Sequence, residues 1–255
     1  MTLHPYLVLV LSLVALWLSC QAGTAIRRRQ DQRDKPLRED LDVILAATLT
    51  LLGLVIGFTF SMALSRFDQR KDYEEAEANA IGTEWLRADL LPAADGAKVR
   101  AHLSGYLEQR ILYYVTRDAA ELAAIDERTQ RVQKDLWASV LPAAAANPNA
   151  MTALVVSGMN DVLNSQGYTQ GAWANRIPQP AWALMFVIAI FSNALVGFGS
   201  RSGRLSAKRF WVLPVVISIA FMLISDIDSP RRGLIDVAPE NLMSLTGTIG
   251  PGKPK

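Results

Sequence analysis

The sequence predicts an all-α membrane protein with four transmembrane helices and a helical domain inserted between the second and third. Two observations carry this reading. Hydrophobic residues make up 51% of the chain and charged residues 20%, yet the apolar residues gather into blocks from which charge is absent, as a bilayer requires. Between the second and third blocks, apolar residues recur at steps of three and four, the helical period, and no strand-like alternation occurs. The expected organisation is 1–65 for spans one and two with a basic linker, 66–176 for the helical extramembrane domain, 177–225 for spans three and four, and 226–255 for a polar tail.

The first block carries no formal charge from Met1 to Ala25, and Tyr6 to Cys20 is almost wholly aliphatic. A signal peptide would have a basic start, and Gly23-Thr24-Ala25 makes a weak cleavage site, so a retained span is the favoured reading. Arg27, Arg28, Arg29, Arg33, Lys35 and Arg38 follow in a polar linker. Val43 to Ser65 is then free of charge and long enough, at about 1.5 Å per residue, to cross a ~30 Å hydrocarbon core. Ile177 to Ser200 is a third such block, with Trp182 as an interfacial anchor. Phe210 to Ser225 is shorter and contains Pro214, but Lys208 and Arg209 beside Phe210-Trp211 form the flank of a fourth span.

In the middle segment Val99, Leu103, Tyr106, Leu107, Ile111 and Tyr114 mark one helix, and Leu122, Ile125, Thr129, Val132 and Leu136 another. Met151, Leu154, Val155, Val162 and Leu163 mark a third. Pro92, Pro142 and Pro148 are the expected breaks. No turn dipeptide separates Arg66 from Leu91-Pro92, so the second span is expected to run on as one helix.

The residues that could carry chemistry are few. His4 and His102 lack a partner at metal-ligand spacing, and neither a nucleotide-binding glycine loop nor a nucleophile elbow is present. No catalytic residue, metal or cofactor is expected, and the protein is not read as an enzyme. A net charge of +2 without a basic, aromatic-interleaved surface argues against nucleic acid. The run Asp72, Glu74, Glu75, Glu77 reads as the solvated face of a helix. Asp226 and Asp228, followed by Ser229-Pro230-Arg231-Arg232-Gly233, read as helix-end capping at the membrane boundary, with a vestibule lining as the alternative. In the second span Thr50, Leu54, Phe58 and Met62 share one stripe, while Gly53, Gly57, Ser61 and Ser65 form an adjacent stripe of small residues suited to close helix packing. That packing could build an oligomeric pore or lie within a single chain.

Ile56-Gly57-Phe58 with Ala63, Arg66 and Phe67, continuing as DQRKDYEEAEANAIG, resembles the bestrophin channels, and the tail DIDSPRRGLI from Asp226 to Ile235 is similar to that of the bestrophin-like membrane proteins of bacteria. The order of spans, domain and tail agrees as well. The resemblance implies a homo-oligomer, a pentamer in bestrophins, that passes chloride or other anions along a pore lined by the second span. It puts the constriction at Phe58, Leu54 and Thr50, the last standing where another apolar residue is expected. Arg66 and Arg70 would lie in the vestibule. The calcium-binding acidic cluster of the eukaryotic channels is matched only in part by Asp226 and Asp228, so calcium gating is not expected. A membrane scaffold whose helical domain binds a partner is the competing function. Lipid surrounds the protein in either case, in the inner membrane. The basic linker and the loop holding Arg201, Arg204, Lys208 and Arg209 favour an external helical domain; the resemblance favours a cytoplasmic one, and the cytoplasmic side is preferred.

Overall fold

The structure, a computed structural model, describes residues 4–30, 38–199, 209–231 and 233–249. The described residues form helices and no strand. They are α1 (Pro5–Gln30), α2 (Arg38–Arg87), a short 3₁₀ turn (Ala88–Leu90), α3 (Ala93–Val115), α4 (Ala119–Ala146), α5 (Ala150–Ala174), α6 (Gln179–Gly199), α7 (Arg209–Asp228) and α8 (Glu240–Ile249). Among the described residues, four helical stretches are long and apolar enough to cross a membrane. The chain divides into two compact units, one of residues 1–67 and 176–236 and the other of 68–175 and 237–255.

The first unit holds α1, the apolar part of α2, α6 and α7. Its core joins Val8 and Leu16 of α1, Leu52 and Ala63 of α2, Met185 and Ala189 of α6, and Ile217, Phe221 and Ile224 of α7. Phe186 meets Phe221 edge to face at 4.8 Å, and Trp17 stacks on Trp211 at 5.6 Å. The tightest contact is between α1 and α6. A Cβ on Gly23 would lie 2.0 Å from the Ala194 carbonyl oxygen, and one on Gly197 would lie 2.0 Å from that of Cys20. Ser19 Oγ donates to the Ile190 carbonyl at 2.7 Å and Arg27 Nη1 to that of Phe198 at 2.7 Å. Apolar side chains gain little by leaving lipid for another apolar surface, so close backbone approach and hydrogen bonds across it hold such helices together. The first block is thus an integral part of this unit.

In the second unit, the remainder of α2 meets α3, α5 and α8, and α4 packs on α3 and α5. Val99, Leu103, Tyr106 and Leu107 of α3 and Ile125, Thr129 and Leu136 of α4 are buried, on the faces that the helical period marks; in α5 the buried face is Val155, Met159 and Val162, while Met151 and Leu154, expected on it, are exposed. Pro92 caps α3. Asn149 caps α5 through bonds from Met151 N and Thr152 N, with Thr152 reciprocating, which is a capping box. Pro142 departs from expectation, because α4 continues through it to Ala146. A proline removes one hydrogen bond to the carbonyl a turn earlier, and here Ala143 to Ala146, the strongest helix formers, carry the last turn. The tail also differs from a plain polar segment. Glu240–Ile249 is helical, with Leu242 and Ile249 buried.

Candidate pore-lining face and its supports

The apolar part of α2 is two-sided in its packing although it is apolar all round. Leu52, Thr59 and Ala63 are buried, and Val55, Ile56 and Phe67 pack against the core. On the other side Thr50, Gly53, Leu54, Gly57, Phe58 and Ser61 are exposed, Leu54 by 53% and Phe58 by 66%. A Cβ added at Gly53 or Gly57 would meet no atom within 4 Å. Among the described residues the small-residue stripe therefore packs on nothing, and the close crossing uses Gly23 and Gly197 instead. Thr50 gives its hydroxyl proton to the Ala46 carbonyl at 2.9 Å, which ties up part of its polarity within its own helix.

Arg66, two turns beyond Phe58, is half-buried, and its Nη1 is buried without a hydrogen-bond acceptor. Arg70 is placed differently from the vestibule expectation. It is buried, with Nε donating to the Ala172 carbonyl at 3.2 Å and Nη2 to that of Asn175 at 3.1 Å. These are the last carbonyls of α5, where a cation also meets the negative end of the helix dipole. Its charge is spent inside the helical unit.

Arg70 opens a buried polar stripe along α2 that the solvated-face reading of the acidic run missed. Asp72 and Glu75 are exposed, but Glu74 and Glu77 are buried. Glu74 accepts from Leu242 N at 2.9 Å and from Asn241 Nδ2 at 2.7 Å, capping the start of α8. Glu77 pairs with Arg110 and accepts from Thr169 Oγ1 at 3.1 Å and Tyr114 Oη at 3.4 Å. The Arg110 guanidinium also lies over the Tyr113 ring at 4.5 Å. Burial works against the Arg110 cation, but the Glu77 carboxylate beside it more than offsets this and holds its pKa above the ordinary value. Burial and then Glu77 push the Tyr114 hydroxyl well up. The signal was present in the spacing, since Arg70, Glu74, Glu77, Ile81 and Glu84 follow the four-three step of a helix face turned inward.

The tail motif acts as a latch within the first unit. The Asp226 carboxylate accepts from Leu234 N at 2.8 Å and Ile235 N at 2.9 Å. The chain can return so closely because position 233 is glycine: a Cβ there would stand 2.6 Å from Asp226 Oδ1. Asp228 accepts from Ile177 N at 3.0 Å, and Arg176 Nη1 donates to the Asp228 carbonyl at 2.8 Å. Both carboxylates are engaged in the turns that join α7 to its neighbours in sequence and space. Arg231 is half-buried, and Arg232 lies outside the described residues, as do the linker at 31–37 and the loop at 200–208. His4 stacks on Tyr6 at 5.2 Å. Among the described residues no three His, Cys, Asp or Glu side chains gather as metal ligands would.

With this architecture in view, a family profile for the bestrophin-like domain matches residues 7–242. The chain belongs to the bestrophin-like family. Solved structures share the fold. A variant of a bacterial bestrophin homologue from Klebsiella pneumoniae aligns with a TM-score of 0.66 and 16% identity, over 94% of this chain and 99% of the other. The same homologue solved by zinc phasing gives 0.65 and 15%, over 95% and 98%. A crystal structure named only as a membrane protein gives 0.64 and 13%, over 95% and 99%. Among curated protein sequences none matches. This bestrophin-like chain is therefore a multi-pass membrane protein.

Proposed function

We propose that this bestrophin-like protein is an oligomeric anion channel in which α2 of each subunit lines the pore. The observation that carries the reading is the uncovered side of α2, where a bulky stripe of Thr50, Leu54 and Phe58 runs beside open glycines. In an assembly the glycines give a neighbouring helix close approach, while Leu54 and Phe58 narrow the axis. A ring of such side chains wets poorly and raises the barrier to ions. A pentamer passing chloride is the assembly the family suggests. Arg66 is the cation that would draw anions toward the constriction; Arg70 takes no part in this.

The test is flux from liposomes containing purified protein. Phe58→Ala is expected to raise chloride flux above wild type, and Ser61→Ala, on the packing stripe, to change it much less. Arg66→Gln is expected to lower flux and flatten its dependence on ionic strength. Background leak in every variant, despite assembled protein, would refute the channel.

One feature favours the scaffold reading. The helical unit has an open groove of about 700 Å³ lined by Trp137 of α4 and Pro148, Ala153 and Val156 at the start of α5, with Leu141, Met151 and Leu154 also exposed. A monomer in detergent, together with no flux, would put that reading ahead. For orientation, the proposal is a cytoplasmic helical unit. With Cys20 changed to serine, a cysteine at the exposed Gln130 should resist a membrane-impermeant maleimide in intact spheroplasts.

A further inference from the structure

The buried stripe of α2 ends on a carboxylate unlike the others. Glu74 and Glu77 accept hydrogen bonds from two and three groups, whereas both oxygens of Glu84 are buried and accept none. The nearest cation is Arg87, one turn on, with Nη1 at 3.9 Å from Oε2 and its side chain 29% exposed. That separation is too long for a hydrogen bond. Across from them lies Gly158 of α5, where a Cβ would stand 2.0 Å from Glu84 Oε2 and 2.1 Å from Arg87 Nη1. With glycine at 158, α5 closes over this pair as it stands; a Cβ there would make the two side-chain ends move. The other charge acting on Glu84 from α5 is Asp161, which is exposed and of the same sign. On the following turn and on α3, Asp89 and Arg100 are paired with each other.

We propose that Glu84 is a proton-operated contact between α2 and α5, closed when its carboxyl is neutral and loosened when that proton leaves to solvent. A neutral carboxyl suits a dry site beneath a helix backbone. An ionised one must gain water or draw Arg87 nearer, and Arg87 adjoins the 3₁₀ turn that ends α2. The energetics agree with the geometry: burial, reinforced by Asp161 and partly opposed by Arg87, raises the pKa from 4.5 to about 8. Between those values the folded protein holds a proton that the unfolded chain has released. Stability is therefore greatest at the acid end of this window and is lost as pH rises through about 8.

The test is the melting temperature of the purified full chain in detergent from pH 6 to pH 9, with the infrared band of protonated carboxyl groups followed over the same range. Wild type is expected to lose roughly 5–10 °C and part of that band. Glu84→Gln, neutral throughout, should show a nearly flat melting profile and lack that spectral change. Asp161→Asn alters an exposed side chain and should shift the transition to lower pH. A Glu84→Gln profile parallel to wild type overturns the proposal. If that variant does not fold, an unshifted transition in Asp161→Asn overturns it.

Discussion

Replacing Gly197 by alanine puts a methyl group where the α1 backbone already is. The added carbon would stand 2.0 Å from the Cys20 carbonyl oxygen and 2.8 Å from its carbon, against an ordinary contact of 3.4 Å or more. Neither atom is the end of a flexible side chain, so the crossing must open by more than 1 Å. Overpacking of this kind costs about 1–3 kcal/mol. Opening also strains the bonds from Ser19 to Ile190 and from Arg27 to Phe198, worth about 0.6 kcal/mol each in a membrane. The higher helix propensity of alanine returns at most about 1 kcal/mol. A net loss of about 1–3 kcal/mol is expected, read as a lower midpoint in detergent-titrated unfolding. Gly57→Ala is the control, since the same methyl meets nothing within 4 Å in the subunit. It should leave subunit unfolding unchanged or raise its midpoint slightly, through alanine's helix propensity, while weakening assembly in size-exclusion and cross-linking measurements. Equal unfolding of Gly197→Ala and wild type would refute the close crossing, and intact assembly of Gly57→Ala would refute the role of the small stripe between subunits.

Other outcomes follow from the polar contacts. Glu77→Gln leaves the buried Arg110 cation without its counter-charge, and thermal unfolding should register a loss of about 3 kcal/mol or more. Asp226→Ala strips Leu234 N and Ile235 N of their acceptor, so a loss of about 1–3 kcal/mol and faster hydrogen exchange at 234–235 are expected. Glu74→Ala removes the cap of α8, and exchange over 240–249 should rise while α3 and α4 keep their protection.

The membrane helices were legible because a charge-free block long enough to cross a bilayer has few alternatives. The helical unit was legible because Val99, Leu103, Tyr106 and Leu107 keep the helical step, and their burial follows it. Which side of α2 packs inside the subunit was not, since apolar residues occupy every face of that block and its few hydroxyls fall on both, Thr59 on the buried side and Thr50 and Ser61 on the open one. Charge misled at Glu74, Glu77 and Arg70. A carboxylate or guanidinium is read as solvated unless its partner is visible, and the partners Arg110, Thr169, Asn241 and the end of α5 stand far off in sequence. Pro142 misled for a local reason, as the alanines after it sustain the helix. Gly23 was read only within a weak cleavage site, and its part in the crossing shows only once Ala194 of the neighbouring helix lies against it.

The latch made by Asp226 and Gly233 bears on how relatives of this protein should be sorted. An acidic residue whose oxygens are consumed by returning backbone, opposite a position that tolerates no side chain, answers to the geometry of a bend. A pattern search keyed on DIDSPRRG would collect chains that turn the same corner, whatever ions they admit or exclude. If α2 lines the pore as proposed, sorting by transport behaviour needs letters from its uncovered side, where a change leaves the subunit's own packing intact.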